Sequence, residues 1–128
     1  HYVGVDVRLG KNVHLRCSGH ALPFHAESFD NVLCLDTLEH DHAFWRTVPE
    51  LLRVLRKRGR LVITVPGIGF PKHDHPSDFY RFTAEAVRWM FVGMKRVMVK
   101  AVGDYAWAPP MTIIVNGYAA IFAHGVKR

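Results

Sequence analysis

An α/β fold with a mostly parallel sheet flanked by helices is what this sequence predicts, on three observations. Short apolar, β-branched runs recur along the chain, and an amphipathic helical stretch separates two of them. Polar and ionisable residues then gather at the carboxyl ends of those runs.

The elements follow in order. Tyr2–Val7 (YVGVDV) alternates valines and reads as a strand, with Asp6 near its end; Val13–Cys17 is a second, shorter one. Only Arg8–Asn12 separates them, whereas parallel neighbours usually need a crossover of about a dozen residues. The second strand is therefore very short or irregularly paired. Phe29–Leu35 is a third strand, and its near-continuous apolar run predicts burial on both faces. From Ala43 to Lys57, Phe44, Val48, Leu51, Leu52 and Leu55 form one helical stripe, which Gly59 ends. Leu61–Val65 is a buried strand closed by Pro66 and Gly67.

Ile68–Arg81 has no period and is a loop rich in ionisable residues. Thr83 is placed to N-cap a helix reaching Phe91, and Val97–Val102 is a further strand. Met111, Ile114, Val115, Tyr118, Ala119 and Phe122 keep helical spacing after Pro109-Pro110, predicting a terminal helix; a strand over Thr112–Val115 is the alternative. No internal repeat or linker divides residues 1–128, which read as a single domain.

Composition narrows the function classes. At 128 residues and 49% hydrophobic, the chain can bury one core. The longest uncharged run, Tyr105–Ala123, is broken by prolines, Asn116 and Gly117, so no membrane span is expected. Cys17 and Cys34 form no CxxC pair or disulfide framework, which with the absence of a signal-peptide pattern fits a cytoplasmic protein. The net charge of +6 admits an anionic partner, but the basic residues are dispersed apart from RVLRKRGR (Arg53–Arg60). That run reads as a solvated helix end, and a nucleic-acid acceptor is not favoured.

In open α/β sheets, ligands lie beyond the carboxyl ends of the strands. Those ends supply Asp6, Cys17-Ser18, Asp36 to His40, and Pro66 to Phe70. An acid at such an end can accept hydrogen bonds from ribose hydroxyls, about 20 residues after a glycine-rich loop. Counting back from Asp6 passes His1, so neither that loop nor the strand and helix around it is in this sequence.

The order YVGVDV, SGHALPF, ESFDNVLCLDTLEH, ELLRVLRKRGRLVITVP and HPSDFYRFTAEAV, over Tyr2 to about Phe91, resembles the class I S-adenosylmethionine-dependent methyltransferases. The likeness is to their broad small-molecule group, with its LPF turn, SFD strand start and LEH strand end. It implies a Rossmann-like fold, here N-terminally truncated and represented by its C-terminal part, with S-adenosylmethionine as cofactor and a small-molecule acceptor.

The resemblance also implies roles. Asp6 would bind the donor's ribose hydroxyls, Ala21 and Leu22 would line the adenine, and Leu35 and Asp36 would face its methionine part. Ser18 stands where the family usually has an Asp for the adenine amino group, which predicts weaker donor binding. KRGR at Lys57–Arg60 replaces the family's usual Pro-Gly-Gly turn.

Methyl transfer from a sulfonium is an in-line displacement that needs alignment above all, and a base only when the acceptor begins protonated. His40, His73 and His75 are the candidate bases. Plainer roles exist for the same region: His40 as a cap for the helix beginning near His42, Glu39 as a first-turn carboxylate, and Asp78, Tyr80 and Arg81 as loop anchors. EHDH (Glu39–His42) and KHDH (Lys72–His75) match no known metal spacing, so no metal site is assigned; a metal-binding protein using these loops is a lesser alternative. The other alternative is a non-catalytic methyltransferase-like partner, acting as a homo-oligomer or with a complementing chain.

Overall fold

The computed structural model describes residues 1–73, 77–102 and 120–128. Val5–Asp6 (β1) and Leu15–Arg16 (β2) pair in parallel as a two-stranded sheet, Val5 opposite Leu15. Both strands are two residues long, which resolves the short connection between them. Gly4 supports the turn: a Cβ there would meet the Asn12 carbonyl oxygen at 1.8 Å.

The larger sheet has the order β3-β4-β6-β5, from Phe29–Leu35 (β3), Leu55–Pro66 (β4), Lys95–Val102 (β5) and Ala120–Val126 (β6). β3 and β4 run parallel, Cys34 opposite Ile63, with the helix Phe44–Val54 (α1) in the connection. β6 lies antiparallel to both β4 and β5. Ala84–Met90 (α2) packs against β5 and β6.

Register explains the core. Val32 and Cys34 share a face with Leu61, Ile63 and Val65 of β4 and with Ile121 and Ala123 of β6. Val48 and Leu51 of α1, and Val87 and Met90 of α2, pack on that same face, with Leu38 and Phe91 closing the cluster. Two expectations change accordingly. β3 is not buried on both faces: Leu33 is 61% and Leu35 51% exposed, because both helices lie on the Cys34 side. The helix predicted to reach Lys57 ends at Val54, and Leu55 begins the strand.

Gly59 therefore does not terminate a helix. It sits where the β3–β4 register jumps, between the Phe29–Leu55 and Asn31–Arg60 pairs. A Cβ there would come within 2.8 Å of the Arg56 and Asp30 carbonyl oxygens, and neighbouring Arg58 has φ 63°. Of the basic run, Arg53 and Val54 thus end α1, while Leu55–Arg60 form a bulged strand. Lys127 Nζ caps α1 instead, donating to the Leu52 and Leu55 carbonyls at 2.9 and 2.7 Å.

Thr83 caps α2 as expected, its side chain accepting the Ala86 amide at 3.1 Å. Phe122 lies in strand β6, so the predicted terminal helix does not include it. The rest of that prediction, over 111–119, lies outside the described residues, as does His75.

Candidate active site

A cleft of about 940 Å³ opens between β1 and β3, each an edge strand of its sheet among the described residues. Asp6, Cys17, Leu22, Leu33, Leu35 and Thr37 are among its lining residues. The topology thus gathers three of the predicted donor-site residues, Asp6, Leu22 and Leu35, from three separate segments. Ser18 and Ala21 are not lining residues; Ser18 falls between Cys17 and Gly19, and Ala21 precedes Leu22, all three of which line the cleft. Asp36 likewise falls between Leu35 and Thr37.

Each polar group has a definite local engagement. One Asp6 oxygen, Oδ1, accepts the Arg8 amide at 2.8 Å, and Oδ2 has no partner among the described residues. Ser18 Oγ accepts the His20 amide at 3.2 Å. Asp36 has φ 44°, in the left-handed region that an Asp tolerates better than most residues. Its Oδ1 accepts the Thr64 hydroxyl at 3.0 Å, so the chain turns sharply at the end of β3 while tied to β4.

The Leu22–Phe24 turn is clamped by α1. Arg53 donates to the Phe24 and Leu22 carbonyls at 2.7 and 2.8 Å, and Glu50 Oε2 accepts the Leu22 amide at 2.8 Å. Arg53 and Glu50 also pair directly, at 2.6 and 2.8 Å. The guanidinium is the main reason the Glu50 carboxyl is held down to about 2. Sequence reading missed this clamp, although the i,i+3 spacing of Glu50 and Arg53 on a helix was visible.

The LEH stretch forms a 3-10 turn, Leu38–His40, ahead of α1. His40 does not cap the helix. The N-cap residue of α1 is Ala43, with no side-chain cap; Asp41 ties the turn to the helix, accepting the Ala43 amide at 2.9 Å and the Thr47 hydroxyl, and pairs with His20 at 2.6 Å. Glu39 is the first-turn carboxylate of that 3-10 turn, but a buried one: its exposure is 0%, and neither carboxylate oxygen has a hydrogen-bond partner among the described residues. Burial pushes its pKa up from the ordinary value. The rings of His40 and His73 stand 4.7 Å apart and face Glu39, and neither residue lines the cleft.

Arg81 fixes the following loop, pairing with both oxygens of Asp78 and donating to the Phe70 and Pro71 carbonyls at 2.8 and 2.7 Å. Tyr80 Oη donates to the His42 carbonyl at 2.8 Å. These residues anchor the loop against the turn that carries Glu39.

Residues 4–63 match the family model described as a methyltransferase domain. A methyltransferase from Archaeoglobus fulgidus, described as S-adenosylmethionine-dependent, superposes with a TM-score of 0.70 at 14% identity, over 98% of this chain and 75% of its own. The fold is that of a class I methyltransferase. A second such enzyme, from Thermotoga maritima, gives a TM-score of 0.69 at 18% identity and covers 91% of this chain. The chain spans 65% of that protein's length. A Haemonchus contortus N-methyltransferase solved with phosphomonomethylethanolamine and S-adenosylhomocysteine gives 0.63 at 16% identity, over 88% of this chain and 36% of its own. No curated protein matches the chain in sequence.

Among the described residues no helix is long and apolar enough to cross a membrane.

Proposed function

We propose that this methyltransferase domain binds S-adenosylmethionine in the β1–β3 cleft and takes part in methyl transfer to a small-molecule acceptor. The observation that carries the reading is the convergence of Asp6, Leu22 and Leu35 on one cleft within this fold. The residues suit the donor chemically. Asp6 keeps an oxygen available for a ribose hydroxyl, a charge-assisted acceptor in a partly enclosed site. Leu22 and Leu35 offer apolar surface, and the Glu50–Arg53 clamp holds the turn that presents Leu22.

The bound donor supplies an electrophilic methyl group. The chain's own contribution is to hold it, orient it and limit water around it, which lowers the barrier by positioning. Titration calorimetry with S-adenosylhomocysteine tests the reading. Saturable binding that Asp6→Ala weakens at least tenfold supports it; no binding by folded protein overturns it for this chain.

The unpaired edges of β1 and β3 favour a second reading, in which a further polypeptide strand fills the cleft and the domain works as a partner. Light scattering that shows a stable homo-oligomer or a complex with a complementing chain, together with absent donor binding, would favour it.

A further inference from the structure

Glu39, His40 and His73 form a cluster that the donor site does not use. Their nearest ligand atoms all lie within 4.8 Å of one another. The His40 and His73 Nε2 atoms each stand 3.8 Å from the same oxygen, Glu39 Oε1. An ion with bonds of about 2.0–2.1 Å in tetrahedral geometry holds its ligand atoms about 3.4 Å apart. The two Glu39–histidine separations are within a few tenths of an ångström of that spacing, and the widest pair, at up to 4.8 Å, closes by a movement of the half-exposed His73 ring of about 1.4 Å at most.

Two further features point to a ligand. The Glu39 carboxylate is fully buried with neither oxygen hydrogen-bonded among the described residues, a costly state for an ion unless a cation compensates it. The imidazoles are also oriented from behind. His40 Nδ1 meets the Ser77 carbonyl, which can only accept; Nδ1 is therefore the N–H, and the Nε2 lone pair of the neutral ring is left toward Glu39. His73 turns Nδ1 toward the Pro71 carbonyl at 3.4 Å and Asp78 Oδ2 at 3.6 Å. Metal-ligating histidines characteristically face a carbonyl or carboxylate with their other nitrogen in this way.

We propose that Glu39, His40 and His73 bind a divalent transition-metal ion, of which zinc is the probe of choice. Two imidazoles and a carboxylate suit zinc or iron. Three protein donors leave a coordination position open, so this is a ligand-accepting site and not a closed structural one. It lies two residues past Thr37, which lines the cleft. The proposal is independent of donor binding, and it assigns His40 and His73 to a metal in place of proton transfer.

The test uses the full 128-residue chain stripped of metal, titrated with Zn²⁺ in a calorimeter and with Co²⁺ by visible absorption. The expected result is one site per chain, a ligand-field spectrum with cobalt, and affinity about 100-fold lower or worse in Glu39→Gln and in His73→Ala. His25→Ala, a control outside the cluster, binds as the parent does. His73 is 38% exposed, so its variant keeps the fold and decides the question even if Glu39→Gln does not. Absence of stoichiometric binding by the folded parent, or undiminished binding by His73→Ala, overturns the proposal.

Discussion

Arg53 Nη2 donates to the Leu22 carbonyl at 2.8 Å, which couples the polar side of helix α1 to a turn 31 positions earlier in the chain. The same guanidinium holds Phe24 and Glu50, so one side chain sets the shape of the Leu-Pro-Phe turn. Arg53→Ala should therefore loosen the turn and weaken S-adenosylhomocysteine binding, by about tenfold if one aligned contact is lost. Arg53→Lys should rescue little, since an ammonium cannot reproduce the forked donor geometry. Calorimetry on the two variants checks both statements.

Glu50 gives the same clamp a pH signature. Its folded-state pKa lies at about 2, below the ordinary carboxylate value of an unfolded chain. Its contribution to stability is thus complete above the ordinary range and is lost as pH falls toward 2. Asp78 is held low by Arg81 in the same direction. Acid unfolding followed by circular dichroism should begin at a higher pH in Glu50→Gln than in the parent, because the variant begins with the clamp already broken.

The one-sided burial of the larger sheet predicts unequal costs for the same substitution. Leu38 is fully buried in the core, so Leu38→Ala should cost about 2–5 kcal/mol. Leu33 faces the open side, and Leu33→Ala should change stability by less than about 0.5 kcal/mol. Urea unfolding of the two variants distinguishes this arrangement from a sheet covered on both faces.

Thr83 tests a purely local device. Loss of its hydroxyl removes the acceptor for the Ala86 amide, and Thr83→Ala should destabilise by about 1 kcal/mol, with Thr83→Ser near neutral.

The two thiols should report burial directly. Cys34 is buried and its pKa is pushed up to about 12, chiefly by desolvation, whereas Cys17 is only partly covered. Native protein treated with a disulfide reagent at neutral pH should release one equivalent, from Cys17, and a second only on unfolding.

The sequence by itself determined the features that rest on neighbouring residues. The apolar run of β3, the stripe of α1, the Thr83 cap and the short β2 are legible because periodicity and capping act over a few positions. The grouping of Asp6, Leu22 and Leu35 was legible as well, through strand-end logic and the ordered motifs. Tertiary structure alone decided what depends on distant partners. Leu55–Lys57 reads as the last part of the α1 helical stretch, yet Leu55–Arg60 forms a bulged strand because β3 and β6 offer backbone hydrogen bonds there. Leu33 reads as core and is exposed because both helices settle on the other face. Glu39 reads as a first-turn carboxylate, and only the tertiary structure shows it buried with His73 facing it. Burial and charge pairing are sums over contacts far apart in the chain, so no local pattern encodes them.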